Sequence, residues 1–226
     1  MHSNRDVFGT RPLIFVSANN EKKWIHKSDA VWTKPPSMKS KVALKELYPA
    51  FQKLFFQLGV PIAGPEALAD ELLTCCENWK KQNIPEDIKS DIFAMLYDVS
   101  HLVREGLPGS NECVRKLSDH SIFPVKSPLQ GSILCARNDH FYVPDASGRF
   151  QSIFSSEVPL LDLPESCGLN DIQSVLDTQY FDSHLKYLEK EVKHDSSLQG
   201  IQELDIHTTK KLASKAEFVA RYGKIF

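Results

Sequence analysis

Apolar residues recur at three- and four-residue spacing over three stretches of the chain, which is the period of an amphipathic helix. Leu44, Leu47, Phe51, Leu54, Phe55 and Leu58 mark the first. Pro49 interrupts it, so the helix either kinks there or a second one starts with Pro49 in its first turn, and Gly59 is a natural stop. The second opens at Pro65 and carries Leu68, Leu72, Cys75, Cys76 and Trp79 along one stripe. Pro85-Glu86-Asp87 opens the third, where acidic residues suit the positive end of the helix dipole. Its stripe is Ile88, Ile92, Met95, Leu96, Val99 and Leu102, and Gly106 ends it. A short helix is expected over 111–117.

Between residues 118 and 163 the pattern changes. Three short runs, 122–125, 132–136 and 141–143, are rich in β-branched, aromatic or Cys residues and bounded by Pro, Gly, Asn or Asp, as strands are. Arg137-Asn138-Asp139-His140 has hairpin length and is expected to join the second run to the third, with 144–148 closing it. Residues 149–154 read as a helical turn. Pro159 puts the apolar run 158–163 at a sheet edge or outside the sheet. At the N-terminus, 11–16, 24–26 and 30–32 read as strands, with Trp24 and Trp32 as core anchors. Lys34-Pro35-Pro36-Ser37 then starts a linker. Toward the C-terminus, Asn170 is a candidate cap for a helix carrying Ile172, Val175 and Leu176. Phe181, Leu185, Leu188 and Val192 mark another helix, and a last one follows Thr208 or Thr209.

The expected fold is α+β and mainly helical. It has a small antiparallel sheet or hairpin in the central-to-C-terminal half and a short N-terminal strand group. Four parts are expected in one compact unit: strands and linker over 1–36, helices over 37–118, a small β part over 119–165, and helices over 166–226.

A chain of 226 residues with 42% hydrophobic and 25% charged residues can bury a real core. The net charge of −2 and a pI near 6.4 argue against a general nucleic-acid binder. Lys22-Lys23, Lys80-Lys81 and Lys210-Lys211 read as solvated faces. The first residues lack the apolar core of a secretory signal, and no run approaches the roughly 18 apolar residues of a membrane span. Cys75, Cys76, Cys113, Cys135 and Cys167 show no Cys-x-x-Cys or Cys/His ligand spacing. They read as reduced, mostly buried residues of a cytoplasmic or nuclear protein.

Several residues invite a chemical reading. His120, Asp139, His140 and Asp145 could form an acid–base pair or two metal ligands, but turn chemistry selects the same residue types. His101 lies beside the stripe of the third helix, where it could activate Cys75 or Cys76. No orienting third residue can be placed there. Glu66, Asp70 and Glu71 share a helix start, where carboxylates are expected for the dipole alone. None of the nucleophile, zinc, phosphate-loop or dinucleotide signatures occurs. No catalytic, cofactor-binding or metal-binding residue is assigned, and no cofactor is expected.

The order of features carries a resemblance. Leu58-Gly59-Val60-Pro61 is followed by a Glu-Ala-Leu-x-x-x-Leu helix. Ile122-Phe123-Pro124-Val125, Phe141-Tyr142-Val143-Pro144-Asp145 and Val158-Pro159-Leu160-Leu161-Asp162-Leu163 come next, and Lys215-Ala216-Glu217-Phe218-Val219-Ala220-Arg221 comes last. Over about residues 12–222 this resembles the non-catalytic middle region of fungal sacsin-like and NO VEIN-like proteins, which carry a GHKL-type ATPase domain elsewhere. That family's ATP site uses a Glu/Asp-x-x-Asn helix and an Asp-x-Gly-x-Gly loop, and Asp145-Ala146-Ser147-Gly148 does not fit. The resemblance therefore implies a non-enzymatic intracellular scaffold or protein-interaction piece with a protein partner. One alternative is a small enzyme with a Cys/His or His/Asp site, using Cys75, Cys76 or Cys135. Another is a winged-helix nucleic-acid binder with a 132–143 hairpin as its wing, which the net acidity disfavours.

Overall fold

A computed structural model of the protein describes residues 10–18, 21–80, 82–137, 139, 141–143, 159–164 and 167–176. The fold is α+β and mainly helical, with small sheets. In the N-terminal part, β1 (Ile14–Ala18) and β2 (Glu21–Ile25) pair antiparallel, with Ile14 opposite Ile25 and Phe15 opposite Trp24. β3 (Ala30–Val31) pairs parallel with β4 (Val42–Ala43). A 3-10 turn at Pro49–Phe51 leads into α1 (Gln52–Gln57). Pro49 thus starts the helix rather than kinking a longer one, as its missing donor and fixed φ favour. Gly59, at φ +79°, closes it. Ile14, Val16, Ile25, Trp32, Leu44 and Phe55 fill a small core between these elements.

The larger core lies between three helices and a sheet. α2 (Pro65–Asn78) contributes Leu68, Leu72 and Cys76, and α3 (Glu86–Arg104) contributes Ile92, Phe93, Leu96 and Val99. α4 (Ser110–Ser118) adds Cys113 and Leu117. β5 (Ser121–Ser127), β6 (Gly131–Ala136) and β7 (Leu160–Leu161) form an antiparallel sheet in the order β6-β5-β7. β7 ends the strand order, and Pro159, which lacks a donor, stands just before it and accepts the Tyr142 N–H at 2.9 Å.

Three local expectations are corrected. The hairpin joins the first and second central runs through 128–130, not the second and third, because Gly131 supplies the positive φ (+76°) that turn requires. Among the described residues, the run 141–143 makes one parallel bridge, Tyr142 to Leu160, and does not pair with β6 as a wing would. After β6 the Asp139 carboxylate accepts the Ala136 N–H at 2.5 Å and bends the chain away. Asn170 is not a cap, since the 3-10 turn Leu169–Ile172 begins after Gly168, whose N–H donates to Asp171 at 2.7 Å. His140, Asp145, Lys81, Lys210-Lys211 and the helices expected over 149–154, 181–192 and after Thr208 lie outside the described residues.

The stretch that its prolines mark as a linker is fastened to the helices. Met38 is fully buried, and the Ser37 N–H and hydroxyl donate to Asp98 at 2.9 and 2.6 Å. Glu71 of α2 accepts the Lys39 and Ser40 N–H groups and the Ser40 hydroxyl at 2.6, 2.9 and 2.6 Å. Backbone bonds from Trp32 to Pro61 (2.7 Å) and from Ala63 to Thr33 (3.0 Å) join the two cores further. Among the described residues, no helix is long and apolar enough to cross a membrane.

Candidate functional site

Alternation along β1 and β2 decides what the N-terminal hairpin shows to solvent. Ile14, Val16 and Ile25 face the small core, so Phe15 and Trp24 must face away from it. Trp24 is therefore 61% exposed and is not the core anchor expected, whereas Trp32 is buried at 4%. Phe15 and Trp24 sit in contact across the pair, ring centroids 5.3 Å apart and tilted by 59°. Phe51 and Leu54, before and within α1, are also exposed. The Tyr48 hydroxyl donates to the Phe15 carbonyl and holds the hairpin against the α1 side. The result is a concave apolar groove of about 320 Å³ with Leu13, Phe15, Trp24, Phe51 and Leu54 on its walls. Tyr48 and Phe55, ring centroids 5.5 Å apart, also line it.

Charge is distributed unevenly along the chain. Residues 10–60 hold nine Lys and Arg against three Asp and Glu, an excess of six in a chain whose total is −2. Lys22 lies two residues from Trp24 on the same strand face, whereas helix phase turns Lys53 away from the groove-lining Leu54, Phe55 and Leu58. Arg11 precedes Leu13 by two residues. All three are exposed, and none takes part in the ion pairs found among the described residues. Total charge concealed this segment. The signals that reveal it are charge summed over a stretch and the phase of the two-residue alternation.

Among the described residues, no three His, Cys, Asp or Glu side chains gather in a way that could hold a metal ion. Cys76, Cys113 and Cys135 are buried, and Cys75 and Cys167 are half-buried. Burial pushes the Cys113, Cys135 and Cys167 thiols up to about 11, raises Cys75 as well, and carries Cys76 higher still. This is opposite in sign to what a nucleophilic thiol needs. Cys75 feels the Asp91 carboxylate on α3, and His101 stands ten residues further along that helix. That is about 15 Å of rise, so no thiol–imidazole pair forms there. His101 Nδ1 lies 3.6 Å from Glu105, and His120 Nδ1 lies 2.8 Å from the Lys116 carbonyl. Asp70 pairs with Lys116, Lys80 with Glu77 at 2.9 Å, and Glu71 secures residues 39–40.

A polar cluster around the buried Lys89 lies where α3 meets the sheet. The Lys89 ammonium donates to Glu86 and to Asp162, each at 2.7 Å, and the Ser132 hydroxyl donates to Asp162 at 3.2 Å. Desolvation acts to lower the Lys89 pKa, but the two carboxylates together outweigh it and hold the ammonium above its ordinary value. A catalytic lysine is poised by the opposite shift. The cluster therefore reads as a fastening between helix and strand. Two other cavities, of about 560 and 390 Å³, lie near the starts of α2 and the end of α3. In the first, Lys41 is committed to the Ser28 carbonyl at 2.6 Å, and in the second Asp98 is committed to Ser37.

Residues 66–190 match the family model described as Domain of unknown function (DUF8348), and the chain belongs to that family. The match begins one residue into α2, so the aromatic groove lies entirely on residues that precede it. No curated protein and no solved structure matches the chain.

Proposed function

We propose that this chain is a non-enzymatic protein-interaction module, comparable to the non-ATPase region of the sacsin-like and NO VEIN-like proteins it resembles, and that it docks a partner in the aromatic groove of its N-terminal part. The observation that carries this reading is the exposed cluster of Trp24, Phe51, Leu54, Phe15 and Leu13 around one concavity. Clustered exposed apolar residues mark interaction surfaces, and Trp is enriched among residues that dominate binding energy. The thiol shifts also support a non-enzymatic reading, since each described cysteine is moved away from reactivity.

Magnitudes limit what the groove does alone. Covering two aromatic side chains removes about 300 Å² of apolar surface from water, worth about 7 kcal/mol. Association costs about 4–15 kcal/mol in lost freedom. Apolar burial here gives weak docking that other interactions must strengthen.

The test is selection of peptides from a random displayed library on the full chain, followed by measurement of the winners on Trp24→Ser. Winners that lose at least about tenfold in affinity on the variant support the reading. No enrichment, or winners that bind both proteins equally, contradicts it. A clear thermal shift with ATP and magnesium would also contradict it.

A further inference from the structure

We infer that the cavity of about 560 Å³ between the N-terminal part and the start of α2 binds a small organic anion, a carboxylate or phosphate group on an apolar body. It shares no lining residue with the aromatic groove, so it is a second site and does not rest on the docking reading. Lys27 and Lys41 line it, and both are half-buried. Lys39, Lys80, Lys89 and Lys116 each pair with a carboxylate, whereas among the described residues Lys27 and Lys41 pair with none. Lys41 donates one N–H to the Ser28 carbonyl at 2.6 Å and keeps two, which sets its charge beside the residue that follows Lys27. The Lys27 ammonium has no hydrogen-bond acceptor among the described residues and lies over Gly59, 3.6 Å from where a Cβ would stand. Two half-buried cations on one cavity repel each other, and an anion held between them relieves that repulsion.

The rest of the lining sets the rest of the ligand. Ala30, Val31, Pro61, Ile62 and Ala63 give the cavity an apolar wall that suits a hydrocarbon body, and its volume is that of a small-molecule site. Glu66 also lines it, but one carboxylate stands against two ammonium groups. Its Oε1 leans on Gly109, 2.7 Å from where a Cβ would stand. The balance at the cavity is therefore positive, which disfavours a cationic ligand. Among the described residues no aromatic ring lines it, so a nucleobase finds no surface on which to stack.

The experiment titrates the full chain with benzoate, phenyl phosphate, benzyl alcohol and benzylamine, read by ligand-observed NMR. At least one of the two anions is expected to bind about tenfold tighter than the alcohol and the amine, and the tighter anion names the head group. Lys27→Gln keeps the length of the wall and removes its charge, and is expected to weaken anion binding about fivefold or more. Gly64 also lines the cavity, and a Cβ added there meets nothing within 4 Å. Gly64→Asp therefore puts a carboxylate into the cavity at the position before α2, where Asp is a favoured residue. It is expected to abolish anion binding while the melting temperature holds or rises. Lys22→Gln, outside the cavity, is expected to bind as wild type. Anions that bind no tighter than the alcohol overturn the inference, as does wild-type affinity in either Lys27→Gln or Gly64→Asp. A loss on Lys22→Gln as large as on Lys27→Gln also overturns it, because the anion then follows general surface charge. The docking reading stands or falls separately, on Trp24→Ser.

Discussion

Lys89 shows what individual side chains contribute. Its side chain is only 7% exposed, and its partner Asp162 is 19% exposed. Removing one member of such a pair leaves the other charge poorly solvated, so Lys89→Ala is expected to cost about 3 kcal/mol in urea unfolding, the lower end for buried pairs. The folded-state pKa of Lys89 is raised above 10.5, so its contribution is fully present below about pH 10.5 and lost as pH climbs through the folded value. Stability arising from this pair is therefore flat across neutral pH, and a pH titration of the unfolding midpoint checks it. The cysteines give a second outcome. A thiol at about 11 instead of 9.0 has about a hundredfold less thiolate at neutral pH, so Cys113, Cys135 and Cys167 should react slowly with a thiol reagent. One fast cysteine at pH 7 would contradict the non-enzymatic reading. The burial of Cys113 and Cys135 was legible in the sequence, because isolated cysteines without ligand spacing behave as small hydrophobes. The exposure of Trp24 was not: its residue type suggests a core anchor, and only its phase opposite Phe15 places it outside.

Elements were legible where punctuation and period agreed. α2 and α3 carry proline at or just before their first turn, and α3 runs out at Gly106 with φ +66°. Their apolar stripes meant what they suggested because both helices bury one face in the same core. The parallel pairing of β3 with β4 was hidden, since two-residue strands are too short to carry an alternation. The hairpin was misplaced because 137–140 and 128–131 both hold turn formers, and only backbone geometry distinguishes them. A substitution isolates that geometry. Gly131 has φ +76°, and a Cβ there would lie 2.8 Å from Asn83 Oδ1, which accepts the Ser132 N–H at 2.9 Å. Gly131→Ala therefore strains the backbone and disturbs this bond, with an expected loss of about 1–2 kcal/mol by urea unfolding. An unchanged midpoint would show that the turn has an alternative conformation.

On the scale of the whole molecule, two apolar cores are joined by Glu71, Asp98 and backbone bonds, and charge is sorted between them. The acidic total masks a basic N-terminal part, and that part carries the exposed aromatic groove. Fold class was readable from the alternation of helical and strand periods. The surface was not, because it is assembled from positions about thirty residues apart, each unremarkable in its own stretch. The central claim is that this groove serves binding rather than folding. Melting temperature and affinity for a library-selected peptide, measured side by side on wild type and Trp24→Ser, test it most directly. An exposed position is expected to shift the melting temperature by only about 2 °C while affinity drops at least about tenfold. A melting temperature that collapses as for a core residue, with affinity per folded molecule unchanged, would show that Trp24 is there to hold the fold.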